Sequence, residues 1–515
     1  MHMNAYVPLS RGFDLHYGIL TGGGSHTKHV SVSQKVQARG QADSHTFTGS
    51  NLWDNGEFAI DNQPGEHSTS LYTRRTMQTI AHLEASESKA PWFVFLSYQA
   101  LHDPIEVGDE KFVTETNCNA IASELTNRRT MCGMMAEIDD GLAQIKTQLL
   151  AAKAWERTVI VYASDNGGLL SHGSSNMPFS GEKGMYFEGG VHVPAFFAGG
   201  YMTAALAAAG GVAFQMTNLA HLTDLHATIA SLGGVDLTED AAATGTILDG
   251  VDLWPQMTVA AKDAASAATA AASVEGARTE VLINVNSALF GNSAALRAGD
   301  YKILVNPNPQ EATIYMKVKA HLQSSSVELT ADEVAAVASE MTHVIVDGKK
   351  YIFNLAKNPT EIDSPNSCDD IEACGNLADV KGYEKLQADL EARLTALRLA
   401  AAPSSFAWQD DGILANPQLF NNLWTPWRDD NGNPKVVYQG LVNAGVTGTP
   451  GAALSGFAAQ NVENRVAGSD ALTSSSPTHA SVFGALVVGG GLVALVAAVA
   501  FKAGVSASEK KYDLA

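Results

Sequence analysis

The sequence predicts an α/β protein built on a mostly parallel sheet. Two runs rich in β-branched and aromatic residues, 92–98 (WFVFLSY) and 159–162 (VIVY), have the composition of buried strands. The segment between them, 124–153, carries apolar residues at intervals of three and four, which is typical of one helix face packed on a core. Strand, helix and strand in this order predict a parallel βαβ unit.

The elements on either side of this unit follow from the same periodicities. Residues 31–70 are polar with little periodicity, so we expect a long surface excursion there. Apolar residues at helical spacing predict a helix over 68–83. Residues 193–198 predict a further strand, and a helix ends near Leu232. Residues 256–274, rich in Ala, Ser and Thr, predict an inserted surface helix or loop.

A second, smaller unit is predicted from about residue 278 to 430. Its predicted elements are four short strands and one amphipathic helix, at 281–285, 301–305, 343–346, 350–355 and 380–399. The apolar face of that helix carries leucines at helical spacing, namely Leu386, Leu390, Leu394 and Leu397. These elements follow the parallel sheet along the chain and predict a separate packing unit.

The C-terminal part of the chain predicts a membrane anchor. Past about residue 440 the composition turns to Gly, Ala, Ser and Thr, which is typical of a flexible linker. The run 482–501 contains no charged residue and is long enough to cross a bilayer as a helix. Three lysines follow it, so the positive-inside rule places the tail 502–515 in the cytosol. The bulk of the protein is then expected outside the cell or in a lumen.

The charge balance disfavours one class of partner. The formal net charge of the 515-residue chain is −21 at neutral pH. Nucleic-acid binding depends on Lys and Arg neutralising phosphates, so we expect no nucleic-acid partner. An anionic substrate would need a local positive site, such as a metal ion or a lysine.

The four cysteines, Cys118, Cys132, Cys368 and Cys374, are compatible with an oxidising compartment. They allow three disulfide connectivities, and the spacing does not choose among them. Cys368 and Cys374 lie in a polar, turn-rich segment and could close a small loop.

The stretch 158–194 carries the clearest chemistry. Its apolar run stops at Asp165 and Asn166, which two glycines follow. In open α/β sheets this end of a strand binds ligands, and a carboxylate beside an amide suits Ca²⁺ or Mg²⁺. Lys183, on a turn between glycines, could reach an anion held on that cation. Alternatively, DNGG is only a tight turn and Lys183 a solvated surface charge.

A histidine lies at the end of the other predicted strand. His102 follows 92–98, and Asp103-Pro104 then breaks regular structure. Imidazole titrates near neutral pH and suits proton transfer. A histidine at a strand end also commonly serves as a structural hydrogen-bonding group, so both interpretations stay open from the residues alone.

Several motifs follow one another along the chain in a set order. They are SRGFD at 10–14, FVFLSYQALHDP at 93–104, DNGG at 165–168, PFSGEKGMYFEGGVHVP at 178–194, LDGVDLWP at 248–255, LRAGDYK at 296–302 and YIFNL at 351–355. Together they resemble the sulfatase family, in particular its arylsulfatase B-like branch. The resemblance covers about residues 6–430, and the shared order is far more specific than any single motif.

This resemblance implies the architecture. Residues 1–275 would form an alkaline phosphatase-like three-layer α/β sandwich that is incomplete at its N-terminus. Residues 276–430 would form the small C-terminal α+β subdomain, an antiparallel sheet with a helix packed on it. A linker over 431–480 and the single transmembrane helix over 482–501 would complete the chain.

The resemblance also implies the reaction and its residues. Sulfatases hydrolyse sulfate esters with a formylglycine nucleophile held by Ca²⁺, and the expected activity is that of an arylsulfatase or N-acetylgalactosamine-4-sulfatase-like enzyme. Asp165 and Asn166 would be metal ligands, Lys183 would contact the sulfate, and His102 would bind the ester and aid departure of the alcohol. A sulfated small molecule or a sulfated glycan is the expected substrate.

The nucleophile is not where the resemblance would put it. Formylglycine is made from the first residue of C/S-x-P/A-x-R, and none of the four cysteines begins such a motif. We expect no serine version either, and the family's Asp-Asp metal pair would precede Ser10. We therefore expect this chain to lack the first part of the catalytic domain and to be inactive alone. The alternatives are a catalytically dead, membrane-anchored sulfatase-like binding protein and a phosphatase or phosphodiesterase of the same superfamily.

Overall fold

A computed structural model describes most of residues 4–306 together with five later portions of the chain. The described ranges are 4–32, 36–37, 44–45, 47–59, 65–86, 90–208, 210–211, 213, 215–245, 247–265, 278–285, 293–306, 350–401, 423, 425, 484–489 and 494–500. They divide into two compact units. The first unit comprises the described parts of 1–162, 196–202 and 407–515, and the second comprises those of 163–195 and 203–406. The predicted domain boundaries stay predictions.

The described elements include both helices and strands, in agreement with the predicted α/β class. The strands are β1 (Leu15–Gly18), β2 (Val30–Val32), β3 (Val36–Gln37), β4 (Ser44–His45), β5 (Thr48–Ser50), β6 (Trp53–Asp54), β7 (Glu57–Phe58), β8 (Trp92–Tyr98), β9 (Thr158–Ser164), β10 (Ala195–Ala198), β11 (Glu280–Val285), β12 (Ala294–Ala298), β13 (Tyr301–Val305), β14 (Lys350–Asn354), β15 (Gly484–Gly489) and β16 (Ala494–Ala500). The helices are α1 (Ser68–Ala85), α2 (Lys111–Thr114), α3 (Thr126–Ala151), α4 (Glu188–Val191), α5 (Gly200–Ala208), α6 (Leu222–Gly233), α7 (Leu237–Thr244), α8 (Trp254–Ala265), α9 (Ile371–Cys374) and α10 (Glu384–Ala400).

The first unit is organised around an eight-stranded sheet in the order β10-β9-β16-β8-β15-β1-β6-β7. β15 pairs in parallel with both β1 and β8, whereas β16 is antiparallel to β8. The sheet is therefore mixed, and β8 and β9 are not direct neighbours as the predicted βαβ unit would make them. The sequence-based prediction missed this because β15 and β16 come from far along the chain.

The predicted transmembrane helix over 482–501 is wrong in the described residues. Gly484–Gly489 and Ala494–Ala500 are strands that pair with the two edges of β8. A continuous apolar run is typical both of a membrane helix and of a central strand buried on two faces, so composition does not separate them. Three consecutive glycines, 489–491, divide the run into two pieces of strand length. Among the described residues no helix is long and apolar enough to cross a bilayer.

The core of the first unit lies between this sheet and two helices. Its buried members from α1, β8, α3 and β9 include Leu71, Tyr72, Ile80, Val94, Leu96, Tyr98, Met134, Ile138, Ile145, Leu149 and Ile160. Met131 and Met134 are buried on α3, which confirms that the methionines of this helix pack the core. The observed bounds of α1, β8 and α3 agree closely with the predicted 68–83, 92–98 and 124–153.

The prediction of a surface excursion over 31–70 is wrong at residues 51 and 52. Leu52 and Asn51 are fully buried there. The Asn51 side chain accepts the Leu20 N–H at 3.0 Å and donates to the Thr21 carbonyl at 2.7 Å. A polar residue can enter a core when its hydrogen bonds are satisfied, and composition alone does not reveal those partners.

His16 on β1 predicts an acid-sensitive contribution to stability. Burial lowers the pKa of His16 to about 4, below its ordinary 6.5. Between these values the unfolded chain binds more protons than the folded one, so stability falls as the pH falls. Through this group, the free energy of unfolding of the wild type should fall by about 2 kcal/mol between pH 7 and pH 5. His16→Leu should lack this part of the pH dependence.

Urea titrations of both proteins at the two pH values measure this difference. His82→Gln, which changes an exposed histidine on α1, serves as the control and should retain the wild-type pH dependence. An identical pH dependence in His16→Leu and wild type would contradict the prediction.

The second unit contains a four-stranded antiparallel sheet in the order β11-β12-β13-β14. Alternate residues of its strands face two separate hydrophobic clusters. Ile303 and Ile352 pack with Leu390 and Leu394 of α10, which confirms the predicted leucine face. Leu304, Tyr351 and Phe353 pack with Met185 and Phe187. The period of two along each strand therefore joins α10 on one face and the 185–187 segment on the other.

Most short elements of this unit were predicted, with one omission. β11, β13, β14 and α10 coincide closely with the predicted 281–285, 301–305, 350–355 and 380–399. β12 was missed, because its small residues, AALRA, lack the bulky alternation of a strand. The predicted strand over 343–346, the linker over 431–480 and the tail 502–515 lie outside the described residues.

Two disulfides resolve the connectivity that the sequence left open. Cys118 bonds to Cys132 and Cys368 bonds to Cys374. The first joins the segment after α2 to the start of α3. The second closes the small polar loop that contains α9, as the spacing allowed.

Candidate functional site

The strand β9 delivers Asp165 and Asn166 to a loop, as the sequence predicts. Val159 to Ala163 are buried, and the strand ends at Ser164. The Ser164 N–H donates to the Pro194 carbonyl at 3.1 Å, and its hydroxyl donates to the Asn166 carbonyl at 3.1 Å. The two residues that follow are half-buried. The end of the buried strand therefore presents one carboxylate and one amide.

Glycines allow the DNGG loop to pack directly against the EGG turn at the start of α4. The Gly167 N–H donates to the Gly190 carbonyl at 2.9 Å. A Cβ at Gly167 would lie 1.8 Å from the Gly189 carbonyl oxygen, which no side chain tolerates. A Cβ at Gly189 would meet the Gly181 oxygen at 2.3 Å. The glycines in these two motifs are thus required because backbone packs on backbone.

Hydrogen bonds from side chains to the backbone hold the segment between DNGG and EGG in place. The Asn176 Oδ1 accepts the Gly168 N–H at 2.9 Å, and its Nδ2 donates to the Gly168 carbonyl at 2.8 Å. Glu182 accepts the Leu170 N–H at 2.7 Å. Neither residue was singled out from the sequence, since an Asn or a Glu in a polar loop gives no periodic signal.

The predicted sulfate contact, Lys183, lies on a tight turn of this segment. Gly181 and Gly184 flank it with φ of +86° and +89°, the left-handed region that glycine adopts readily. Met185 and Phe187, just beyond the turn, are buried against the antiparallel sheet. Lys183 itself is half-buried and forms no salt bridge with any residue that the structure describes. Its ammonium group is therefore available to an anion.

A buried ion cluster, which the sequence analysis missed, anchors the same segment. We name it the Lys302 cluster; its core is Lys302, Glu188 and Glu361, all buried. The Lys302 Nζ lies 2.9 Å from a carboxylate oxygen of each glutamate. His192 and Arg297 also approach Glu188, at 3.0 and 3.6 Å. A signal was present in the sequence, because a lysine interrupts the apolar strand β13.

The two glutamates of the Lys302 cluster differ in their acidity. Burial opposes ionisation of Glu188, yet the Lys302 charge and the His192 hydrogen bond outweigh it and lower its pKa to about 2. Burial, together with the Glu188 charge, raises the pKa of Glu361 to about 7. Glu188 is therefore the ionised partner of Lys302, whereas Glu361 is partly protonated near neutral pH.

His102 belongs to the first compact unit, in the loop after β8. Its N–H donates to the Gln99 carbonyl at 3.0 Å, and its ring Nδ1 lies 2.9 Å from the Asp103 carbonyl oxygen. A carbonyl only accepts, so Nδ1 carries the proton and Nε2 of the neutral ring has the free electron pair. The half-buried ring can therefore exchange a proton at Nε2.

The side-chain oxygen atoms at the end of β9 are suitable for part of a calcium coordination shell. Ca²⁺ takes six to eight oxygen ligands, from carboxylates, amides and carbonyls. Asp165 offers its carboxylate, and Asn166 offers Oδ1 because its Nδ2 donates to the Gly167 carbonyl at 2.8 Å. Within the part of the chain that the structure describes, no group of three or more His, Cys, Asp or Glu side chains is arranged to hold a metal. These two residues would therefore supply a minority of the ligands.

The expectation that the chain contains no serine version of the formylglycine motif is wrong as a statement about the sequence. Ser293-Ala294-Ala295-Leu296-Arg297 fits S-x-A-x-R. The structure places these residues in and beside β12, where Ser293 is buried and its hydroxyl lies 3.0 Å from the Tyr186 hydroxyl. A serine buried at the start of the interior strand β12 is not presented to a substrate, so it does not supply the missing nucleophile.

Part of the chain is similar to known sulfatases. Residues 17–235 match the sulfatase family model. Over 436 residues the chain is 25% identical to arylsulfatase J of Mus musculus, covering 83% of this chain and 63% of that protein. It is 30% identical over 207 residues to N-acetylgalactosamine-6-sulfatase of Mus musculus, covering 39% of this chain and 35% of that protein. It also resembles the solved structure titled "Crystal structure of Ps i-CgsB", with 19% identity, a TM-score of 0.49 and coverage of 82% and 75%. The chain thus spans less than two thirds of these curated relatives.

Proposed function

We propose that this chain, which carries a sulfatase-family domain over residues 17–235, belongs to an enzyme that hydrolyses sulfate esters. A sulfated small molecule or a sulfated glycan is the substrate class that we assign to it. The observation that carries the proposal is the direct backbone packing of the DNGG loop on the EGG turn, which we call the interlock. It holds Asp165 and Asn166 at the end of β9 and the Lys183 turn in one packed segment.

We assign each predicted residue one role in this reaction. Lys183 attracts the sulfate oxygens, because it is a half-buried cation without a carboxylate partner in the described chain. His102 exchanges a proton with the ester oxygen through Nε2, because Nδ1 is committed to the Asp103 carbonyl. Asp165 and Asn166 would hold Ca²⁺ in the complete site. When bound, that ion supplies positive charge next to the sulfate.

Without a usable C/S-x-P/A-x-R motif, we propose that the 515-residue chain binds sulfate but does not turn over a sulfate ester. The competing candidate is a catalytically inactive sulfatase-like binding protein, and the same absence favours it. Genomic sequence upstream of Met1 separates the two. An in-frame C-x-P-x-R there would support the enzyme, and in-frame stop codons would support the binding protein.

The binding role of Lys183 is testable on the chain itself. Inorganic sulfate is titrated into the protein by calorimetry in the presence of Ca²⁺, with hydrolysis of an aryl sulfate followed in parallel. We expect no hydrolysis, and we expect Lys183→Ala to weaken sulfate binding about tenfold or more, as the loss of a charge-assisted contact does.

Lys381→Ala is the matched control, because Lys381 is an exposed lysine of the same compact unit. It should bind sulfate like the wild type. Measurable hydrolysis would show that the chain has its own nucleophile, and equal affinity of Lys183→Ala and wild type would remove Lys183 from the proposed site.

We further propose an oxidising compartment, either extracellular or lumenal. The two disulfides support it, since such bonds persist outside the reducing cytosol.

A further inference from the structure

Two buried histidines stack face to face next to the loop that carries His102. The rings of His26 and His67 have centroids 4.8 Å apart and an angle of 18° between their planes. Both side chains are buried. Two polar rings in a core must satisfy four nitrogen atoms, so their hydrogen bonds show what the pair holds in place.

His26 joins the start of α1 to the backbone of His102. Its Nε2 lies 3.1 Å from the His102 carbonyl oxygen, and its Nδ1 lies 2.7 Å from the Ser68 hydroxyl. Burial and the neighbouring His67 lower the pKa of His26 to about 4, so the ring is neutral at physiological pH. The carbonyl can only accept, so the single ring proton is on Nε2 and the Ser68 hydroxyl donates to Nδ1.

His67 makes the corresponding contacts at the other end of the loop. Its Nε2 lies 3.1 Å from the Glu106 carbonyl oxygen, and its Nδ1 lies 3.0 Å from the Glu137 carboxylate. Glu137 also accepts the Ser70 hydroxyl at 2.6 Å and the Gly108 N–H at 3.1 Å. The carboxylate is thus fully engaged, and it fixes the direction of the His67 ring.

The two stacked rings therefore hold the two ends of the segment 102–106 by its carbonyl groups. Gln99, just before this segment, donates its side-chain amide to the Gly24 carbonyl. Ser25 reaches the Glu106 carboxylate at 3.4 Å. Residues 24–26 and the first turn of α1 thus contact the loop at both of its ends. None of these contacts involves the His102 ring.

We propose that the stacked pair His26–His67 is a positioning device that sets the direction of the His102 ring for the sulfate ester. His26 is the key member, because it bonds the carbonyl of the residue that carries the reacting nitrogen. The inference rests on the proposed role of His102. Its physical basis is that proton transfer requires a heavy-atom distance within hydrogen-bond reach, so a small backbone displacement is costly.

The test follows His102 directly in the full 515-residue chain. The protein is labelled at histidine with ¹³C and ¹⁵N, and the His102 ring signals are assigned from their loss in His102→Gln. We expect the wild type to show the Nδ1–H tautomer of His102. In His26→Phe, which keeps the ring stack but removes the donor, these signals should shift.

Two further variants separate positioning from a general loss of structure. His26→Gln retains an N–H donor in place of Nε2 and should restore much of the wild-type spectrum. His26→Leu removes the same donor with a smaller side chain, so it serves if His26→Phe fails to fold. His82→Gln, an exposed histidine on the same helix, is the control and should change nothing.

The outcomes for this proposal and for the proposed function are distinct. A folded His26→Phe or His26→Leu with unchanged His102 signals overturns the positioning role, even if the wild type binds sulfate. Shifted His102 signals in a protein that binds no sulfate support the positioning role and count against the proposed function.

Discussion

Replacing Lys302 by Met is expected to destabilise the protein by about 3–5 kcal/mol, as the removal of one partner from a buried ion pair does. Glu188 and Glu361 would then share the interior without their common cation. The other basic residues of the cluster, His192 and Arg297, contact Glu188 in the described part of the chain. Because the Lys302 cluster joins α4 to β13, the EGG turn should loosen together with the antiparallel sheet. Chemical denaturation followed by circular dichroism measures the loss.

The pH dependence of this variant gives a second check. Without Lys302 the two buried carboxylates can relieve their repulsion by taking up protons, so the folded state binds more protons than the unfolded one. The penalty should therefore shrink as the pH falls from 7 to 5. Lys381→Met, at an exposed position, should change stability by less than about 0.5 kcal/mol. A loss below about 1 kcal/mol in Lys302→Met would show that the cluster does not anchor the turn.

Replacing Gly167 by Ala should separate the DNGG loop from the EGG turn. The new Cβ would lie 1.8 Å from the Gly189 carbonyl oxygen and 3.1 Å from the Gly190 Cα. Both are backbone atoms, so no side chain can move aside. We expect a loss of about 3 kcal/mol in stability, at the upper end for overpacking, and a loss of sulfate binding.

Gly22→Ala provides the matched control, since a Cβ there would meet no atom within 4 Å and its φ is not left-handed. It should retain wild-type stability and binding. Calorimetric titration with sulfate and thermal unfolding together measure the effect. Retention of full sulfate affinity in Gly167→Ala would mean that the interlock does not position the binding groups.

Local patterns were enough to predict much of the fold. β8 and β13 coincide with the predicted 92–98 and 301–305, because each is a short apolar run bounded by polar or turn residues. The leucine face of α10 was predicted from its spacing and packs as expected. The position of Asp165 and Asn166 at the end of β9 followed from the same reasoning, whereas their roles stay predictions.

Buried polar residues were beyond reach of the sequence alone. Lys302, His26, His67 and Asn51 are polar, and composition alone would place each of them at the surface. Each is buried because partners from distant parts of the chain satisfy its charge or hydrogen bonds. Sequence spacing does not report such partners.

The residues of this chain by themselves determine the strand ends, the glycine-flanked motifs and the match of residues 17–235 to the sulfatase family model, because these depend on local order along the chain. The structure of the apolar run 482–501, in contrast, depends on contacts with distant parts of the chain. Composition suits a membrane helix and a central strand equally, and pairing on both edges of β8 makes Gly484–Gly489 and Ala494–Ala500 strands. A strand is specified by its hydrogen-bonding neighbours, and those neighbours are supplied only when the chain has folded.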